Sequence, residues 1–192
     1  MTDASANGIV LCGIKHSGKS TIGAALSRRL NLLFVDLDRE IETAYQRETG
    51  QSLTFREIYR LLGNEEFRRR EALAVQDLAA SGQAAVVALG GGAPMNPAVR
   101  PEWLHGLGRI VLLDIAPATA FRRILAGGLP PFLATAENPE KEFFRMCDER
   151  LAVYRRLADV VHHILEDSTP EQEADRIIAA LDRRQPGIDA SK

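Results

Sequence analysis

Residues 8–21 read Gly8-Ile-Val-Leu-Cys-Gly13-Ile-Lys-His-Ser-Gly18-Lys-Ser-Thr21, and this stretch decides the fold. Its first five residues form an apolar run, which predicts a buried strand. An amphipathic pattern starts at Lys19 and continues to about Leu30, which predicts a helix. Between them, residues 13–20 fit the pattern Gly-x-x-x-x-Gly-Lys-Ser/Thr. Strand, glycine loop and helix in this order predict a phosphate-binding loop, or P-loop.

The physical chemistry of this loop suits ATP. Gly13 and Gly18 allow the backbone to turn inward, so that successive N–H groups face one anion. The helix N-terminus adds a partial positive charge. Lys19 is placed to reach the outer phosphates, and the Ser20 hydroxyl is placed to bind Mg²⁺. The other loop residues expected to contact the nucleotide are Ile14, Lys15, His16, Ser17 and Thr21. A glycine turn that only connects a strand to a helix is the alternative.

Composition narrows the class of protein. The 192 residues are 45% hydrophobic and 26% charged, which suits one domain, 1–192, with a single core. A net charge of −2 indicates neither nucleic acid nor an anionic membrane as a partner. The two cysteines, Cys12 and Cys147, are expected to be buried thiols, as is typical of a protein in a reducing compartment. Since no apolar run suits a signal peptide or a membrane span, we expect a cytoplasmic protein. We also expect a monomer, with loose ends at 1–6 and 185–192.

Strands and helices alternate along the chain. Apolar runs that predict further buried strands lie at 32–35, 84–89, 109–114 and 159–165. With the first strand they predict an α/β fold of three layers, a five-stranded parallel sheet with helices on both faces. Ligands of such sheets bind beyond the carboxyl ends of the strands. Residues 126–138 contain two glycines and two adjacent prolines and predict a loop.

Two further strand ends carry unusual residues. Asp36 and Asp38 would face the same side if the strand continued that far. One carboxylate could then serve Mg²⁺ and the other could accept a proton or hydrogen bond from a substrate hydroxyl. The alternative is an Asx turn and helix cap before residues 39–47. Gly90–Gly92 follow the third strand, where they indicate either close backbone approach to another group or a flexible turn.

The segment from Phe67 to Glu71 predicts an arginine whose guanidinium group is fixed by a neighbouring carboxylate. Glu71 shares a helical face with Phe67 and other apolar residues, where an unpaired carboxylate is costly. Arg68, three residues earlier, can pair with it. An arginine held in this way presents a rigid fork to a carboxylate or phosphate. A solvated basic face would explain Arg69 and Arg70, but not Glu71.

Taken in chain order, these motifs resemble the shikimate kinases. The motifs that carry the resemblance are Gly13–Ser20, Phe34-x-Asp36-x-Asp38, Gly63-x-x-x-Phe67-Arg68-x-x-Glu71, Gly90–Gly92 and Arg150-x-x-x-Tyr154. Their order and spacing fit over about residues 8–182. The P-loop alone is common to many proteins, whereas the combination is much more specific. The resemblance implies a nucleoside-monophosphate-kinase-like P-loop fold with a flexible lid at about 126–138. It also implies transfer of the ATP γ-phosphoryl group to the 3-hydroxyl of shikimate.

The resemblance also implies roles for individual residues. Residues expected to bind shikimate, with Asp38 as a possible base, are Asp38, Arg68, Gly90, Gly91, Gly92 and Arg150. Lys19 would stabilise the transferring phosphoryl group, and Ser20 and Asp36 would serve Mg²⁺. Arg123 and Pro170 match positions that sandwich adenine.

The chain departs from the family pattern at the P-loop and the lid. His16 stands where the family usually has glycine, and Pro130 stands where its lid carries an arginine. Lys15 stands where the family has an apolar residue or proline. Our hypothesis is that Lys15 supplies the positive charge that Pro130 cannot. The alternative is that Lys15 points to solvent.

Two other functions stay open at this point. One is a kinase for a different small polyol acid, such as gluconate. The other is a catalytically weak, nucleotide-binding regulatory homologue, which the missing lid arginine suggests. A GTPase is disfavoured because the sequence has no Asn-Lys-x-Asp motif.

Overall fold

The computed structural model describes residues 8–129 and 131–183, without the side chains of Pro131 and Phe132. Pro130, and with it the predicted loss of the lid arginine, lies outside the described residues. The two ends that the sequence predicts to be loose lie outside them as well.

A parallel sheet of five strands forms the centre of the fold, in the order β2-β3-β1-β4-β5. The strands are β1 (Ile9–Cys12), β2 (Leu33–Asp36), β3 (Ala85–Ala88), β4 (Arg109–Asp114) and β5 (Val160–His163). The central strand β1 pairs in register with β3 on one side and β4 on the other. All four of its residues are buried. The strands are apolar because helices cover both faces, so the predicted α/β fold is confirmed.

Helices of the described residues follow in chain order: α1 (Lys19–Leu30), α2 (Leu37–Thr49), α3 (Phe55–Ser81), α4 (Pro101–Leu107), α5 (Pro117–Gly127), α6 (Pro131–Ala134), α7 (Pro139–Leu157) and α8 (Pro170–Arg183). Helices α1 and α8 cover one face of the sheet, against Ile9 and Leu11. Residues from α2, α3, α4, α5 and α7 cover the other face, against Val10 and Cys12. Among the described residues, no helix combines the length and the apolar character that crossing a bilayer requires.

Three parts of this architecture differ from the sequence-based expectation. The predicted loop at 126–138 contains the short helix α6, where Leu133 is fully buried in the core. The sequence pattern also missed α4 and a 3₁₀ turn at Ala93–Met95. Short segments like these carry too few turns for periodicity to show. Helix α3 is interrupted by a kink at Gly63, whose φ of 77° and ψ of 175° are not helical, so it consists of two helical halves.

The cysteines agree with the prediction. Cys12 and Cys147 are both buried and free. Cys12 lies in β1 and Cys147 in α7, and both belong to the same apolar core. They act as small core residues, since burial raises the pKa of the Cys12 thiol to about 12.

Gly108 connects α4 to β4, where the chain passes against the start of β1. Its φ is 140°, and a β-carbon added there would lie 1.8 Å from the carbonyl oxygen of Gly8. That carbonyl accepts a hydrogen bond of 2.8 Å from the backbone N–H of Arg109, which starts the β1–β4 ladder. The backbone of Gly8 therefore leaves no room for a side chain at residue 108.

We expect Gly108→Ala to lower the free energy of unfolding by roughly 2 kcal/mol or more, because the two backbones must separate. Gly106→Ala is the matched control. Gly106 lies inside α4 with nothing within 4 Å of the added carbon, so that alanine should be neutral or stabilise by up to about 1 kcal/mol. Urea unfolding measures both. Equal stability of the two variants would contradict the assigned backbone contact.

Candidate functional site

A cleft of about 670 Å³ opens at the carboxyl end of the sheet. The residues that line it come from the P-loop, the start of α2, both halves of α3, the turn after β3, and α7. This edge of a parallel sheet is where ligands bind in such folds. The volume is typical of small-molecule sites.

The P-loop turns sharply before it enters α1. Gly13, His16 and Gly18 have positive φ angles of 151°, 63° and 92°. His16 therefore occupies the left-handed region that glycine adopts at little cost and that costs other residues roughly 1–2 kcal/mol. This geometry explains why glycine is the more usual residue at the fourth position of the loop.

Lys19 is held by the loop itself. Its Nζ donates to the carbonyl oxygens of Gly13, at 2.9 Å, and of Ile14, at 3.1 Å. Burial lowers the pKa of Lys19 to about 8, and the charge of Asp38 opposes that shift. The ammonium group thus lies within the curve of the loop, where a phosphate bound to the loop N–H groups would meet it.

Asp36 ends β2 and caps α2. Its Oδ1 accepts a hydrogen bond of 3.2 Å from the backbone N–H of Asp38, and its Oδ2 accepts one of 2.8 Å from Ser20 Oγ. The helix begins at Leu37, so the condition that the strand continue to Asp38 is not met. The alternative of an Asx turn and helix cap is found instead, and Asp36, not Asp38, is the residue that forms it.

The paired oxygens of Ser20 and Asp36 suit Mg²⁺. Mg²⁺ prefers hard oxygen ligands and usually takes one or two from the protein, with the remainder from phosphates and water. Residues 8–129 and 131–183 contain no cluster of three or more His, Cys, Asp or Glu side chains that could hold a metal. The Ser20 hydroxyl and the Asp36 carboxylate, which lie 2.8 Å apart, are oxygen atoms of the kind that this metal binds.

Asp38 lies in the first turn of α2, against the turn after β3. A β-carbon added to Gly90 would lie 2.6 Å from Asp38 Oδ1. Burial, and then the negative charge of Asp36, raise the pKa of Asp38 to about 6, while Lys19 acts against the shift. A carboxylate with this pKa is well placed to exchange protons near neutral pH.

Arg68 and Glu71 form the ion pair that the sequence predicts. Arg68 Nη1 donates to Glu71 Oε2 and to the carbonyl oxygen of Gly92, both at 2.9 Å. Glu71 is only 2% exposed. Asn96, also buried, donates to Glu71 Oε2 at 3.0 Å and to the carbonyl oxygen of Arg68 at 2.7 Å. The buried carboxylate thus holds the guanidinium group at the wall of the cleft.

Arg69 and Arg70 differ in their surroundings. Arg69 is exposed and pairs with Glu66 on the same helix, as a solvated face requires. Arg70 is only 15% exposed, pairs with Glu48, and its guanidinium group lies 5.3 Å from the centre of the Tyr45 ring. The solvated-face explanation is therefore wrong for Arg70, which joins α3 to α2.

The three consecutive glycines allow three polar side chains to approach the backbone. Asp38 lies against Gly90, as described above. Arg150 Nη1 would lie 3.1 Å from a β-carbon on Gly91, and Arg68 Nη1 would lie 2.5 Å from one on Gly92. The Tyr154 hydroxyl donates to the carbonyl oxygen of Gly91 at 2.6 Å. Close approach therefore explains this segment better than a flexible turn does.

Arg123 and Pro170 lie away from this convergence. Arg123, on α5, donates to the carbonyl oxygen of His16 at 3.1 Å and so contacts the outer side of the P-loop. Pro170 is the first residue of α8. Neither is among the residues that line the cleft.

Sequence reasoning missed several residues of the cleft. It also missed Asn96, which does not line the cleft but donates to Glu71, a residue of its wall. The place of Asn96 in an Asn-Pro dipeptide indicates only a turn. Other side chains that it missed are Phe55, Arg56, Tyr59 and Met146, which line the cleft from α3 and α7. They belong to ordinary amphipathic helices, so no local pattern marks them.

Comparison with known proteins finds relatives along most of the chain. Residues 15–182 match the family model described as shikimate kinase. The shikimate kinase of Tolumonas auensis is 35% identical over 173 residues, which cover 90% of this chain and 95% of that protein. A shikimate kinase of Thermus thermophilus is also 35% identical, covering 90% of this chain and 89% of that protein. A structure of shikimate kinase from Acinetobacter baumannii in complex with shikimate has a TM-score of 0.79 at 26% identity, covering 96% of this chain and 98% of that one.

The raised pKa of Asp38 predicts how stability depends on pH. The folded protein binds the Asp38 proton more tightly than the unfolded chain, since the pKa rises from 3.8 to about 6. Its contribution to stability therefore falls as the pH rises through this range. We expect Asp38→Asn to raise the free energy of unfolding by about 1–2 kcal/mol at pH 7, with the gain disappearing below about pH 4.

Urea unfolding between pH 3.5 and 8 measures this difference. Asp77→Asn, which changes an exposed carboxylate of α3 outside the cleft, should follow the parent protein at every pH. A constant difference between Asp38→Asn and the parent across the range would contradict the raised pKa.

Proposed function

Because the chain belongs to the shikimate kinase family, we propose that it transfers the γ-phosphoryl group of ATP to the 3-hydroxyl group of shikimate. One observation carries the proposal. Two arginines and one aspartate converge on the three glycines of a cleft whose other wall is a P-loop. Two guanidinium groups suit a carboxylate and Asp38 suits hydroxyl groups, so the arrangement favours a small hydroxylated acid over a nucleotide as the phosphoryl acceptor.

Arg68 and Arg150 would bind the carboxylate of shikimate. Both contacts of Arg68 to the protein use Nη1, which leaves its other nitrogen atoms as donors. Glu71 fixes the plane of this guanidinium group, so little side-chain freedom is lost when the acid binds. The carbonyl oxygen of Gly91, already bonded to Tyr154, keeps the neighbouring turn in place.

Asp38 would orient the acceptor hydroxyl and take its proton. The acceptor oxygen then forms a bond to the γ-phosphorus, and the bond from that phosphorus to the β–γ bridging oxygen breaks. ADP leaves with the electron pair of that bond. Lys19 and the N–H groups of the P-loop stabilise the negative charge on the transferring group, which supplies most of the catalysis in this chemistry.

Ser20 and Asp36 would hold Mg²⁺ in this proposal. When bound, the metal supplies positive charge to the β- and γ-phosphate oxygens. The Ser20 hydroxyl lies in the first turn of α1, directly after the P-loop, and would be one ligand of the metal. Asp36 is held by its capping bond to α2, which fixes one carboxylate oxygen and leaves the other beside Ser20.

Other expectations from the sequence remain predictions. Arg123 and Pro170 are proposed to bind adenine, and residues 126–138 are proposed to close over the cleft as a lid of a single domain. We also propose a cytoplasmic monomer that binds neither nucleic acid nor membrane.

The proposed reaction is tested by ATP turnover with shikimate, gluconate and no acceptor. We expect turnover with shikimate alone, and we expect Lys19→Ala to abolish it without unfolding the protein, because Lys19 acts on the transferring charge. Turnover with gluconate would assign a different acceptor. Binding of ATP without turnover for any acceptor would favour the regulatory homologue.

We expect Arg68→Lys to raise the KM for shikimate by on the order of tenfold or more, because lysine keeps the charge but loses the planar fork. The KM for ATP should change by less than about threefold, since the nucleotide meets the P-loop instead. Arg69→Lys, one residue along the same helix, should leave both values close to the parent. An equal rise in the two KM values for Arg68→Lys would place this arginine at the nucleotide.

A further inference from the structure

Lys15 and Arg56 are basic side chains of the cleft that differ from Lys19 and Arg68 in their partners. Lys19 is bonded to two loop carbonyls, and Arg68 is paired with Glu71. Lys15 and Arg56 also line the cleft, yet within the described part of the chain neither forms an ion pair with a carboxylate. These two cations are therefore available to an anion that enters the cleft.

Lys15 lies on the acceptor side of the P-loop. It is half-buried, and it follows Ile14 at the point where the loop faces α3 and α7. Burial lowers the pKa of Lys15, and the positive charges of Arg56 and Arg150 lower it further, while Asp38 raises it. Lys15, Asp38, Arg56 and Arg150 all line the cleft, so Lys15 shares it with these three side chains. The alternative in which Lys15 points away into solvent does not fit this surrounding.

Arg56 reaches the same place from the other wall. It lies in the first turn of α3, and its guanidinium group lies 5.5 Å from the centre of the Phe55 ring. Arg56 lines the same cleft as Lys15 and His16 of the P-loop, and its positive charge lowers the pKa of both. The acceptor wall thus presents an arginine towards the loop that would hold the phosphates.

We propose that Lys15 and Arg56 form a cationic pair that binds the transferring phosphoryl group from the side of the acceptor. The proposal rests on the phosphoryl transfer proposed above, in which the γ-phosphoryl group moves from the nucleotide towards Asp38. Lys19 compensates the negative charge of the γ-phosphoryl group on the nucleotide side, and Lys15 and Arg56 compensate it on the acceptor side. The pair forms no covalent bond and takes no proton.

Electrostatics gives the reason for such an arrangement. Two like charges that share a cleft without a carboxylate partner repel each other, and an anion between them removes that repulsion. Preorganised cations stabilise charge where it develops in the transition state, and an arginine at a transferring phosphoryl group contributes roughly 10³–10⁵ in rate in related enzymes. A smaller factor is expected from each of these two side chains, because Lys15 is only half-buried and Arg56 is exposed.

The first arm of the test measures kinetics with shikimate for Lys15→Met, Arg56→Met and the double variant. We expect each single change to lower kcat by on the order of tenfold, with less than about threefold change in either KM. Arg69→Met is the charge-matched control, because Arg69 lies on α3 outside the cleft, and it should match the parent. A rise in the KM for shikimate with unchanged kcat would instead assign the pair to carboxylate binding and overturn the proposal.

The second arm needs no acceptor. Calorimetry compares the affinity for ADP with MgCl₂ alone and with added aluminium fluoride, which imitates the transferring phosphoryl group. The parent and Arg69→Met should bind ADP at least about tenfold more tightly with aluminium fluoride, and the double variant should lose most of that gain. Equal gains in parent and double variant, or no gain in the parent, would overturn the proposal.

The two arms separate this inference from the proposed function. A parent protein that gains affinity with aluminium fluoride but does not turn over shikimate would refute the assigned acceptor and retain the cationic pair. Normal turnover of shikimate by the double variant would refute the pair and retain the assigned acceptor.

Discussion

The buried carboxylate of Glu71 is the constraint on which the cleft depends. A charge that is only 2% exposed must be compensated, and Arg68 and Asn96 do so together. Asn96 also accepts a hydrogen bond from the backbone N–H of Ala98, and Arg68 also binds the carbonyl oxygen of Gly92. One carboxylate therefore joins α3 to the segment after β3. Its removal would leave a buried guanidinium contact and a buried amide without their partner, so this network is maintained as a unit.

Within the proposed function, the two ends of the cleft bind negative charge with different kinds of groups. The P-loop end offers backbone N–H groups and a lysine already bonded to carbonyl oxygens, which suits the many equivalent oxygen atoms of a triphosphate. The acceptor end offers separate side chains that three glycines admit to the backbone. Side chains with fixed planes and directions discriminate a carboxylate from a hydroxyl group better than a backbone curve does. Specificity for the acceptor is therefore expected to depend on α3 and α7.

The position of Asp38 shows how a local capping interaction arranges this chemistry. Because Asp36 caps α2, the chain turns into a helix directly after β2, and Asp38 lies in the first helical turn. The two carboxylates then diverge, one towards Ser20 and the other towards Gly90. Burial of the second carboxylate raises its pKa, whereas the first keeps the hydroxyl group of Ser20 as its donor.

The sequence by itself determined the fold class, the P-loop and the pairing of Arg68 with Glu71, because each depends on local spacing: apolar runs, glycines at fixed offsets, and residues one helical turn apart. Tertiary structure alone decided which residues meet across the cleft. Arg56, Glu71 and Arg150 lie far apart in the chain, and only the packing of α3 and α7 brings them to one cleft. Asn96 and Tyr154 bind two residues of its wall, Glu71 and Gly91, through contacts that local spacing does not reveal. It also decided that Asp36 rather than Asp38 caps α2, since the sequence offers two nearby aspartates and the cap depends on the residue at which the backbone changes from strand to helix.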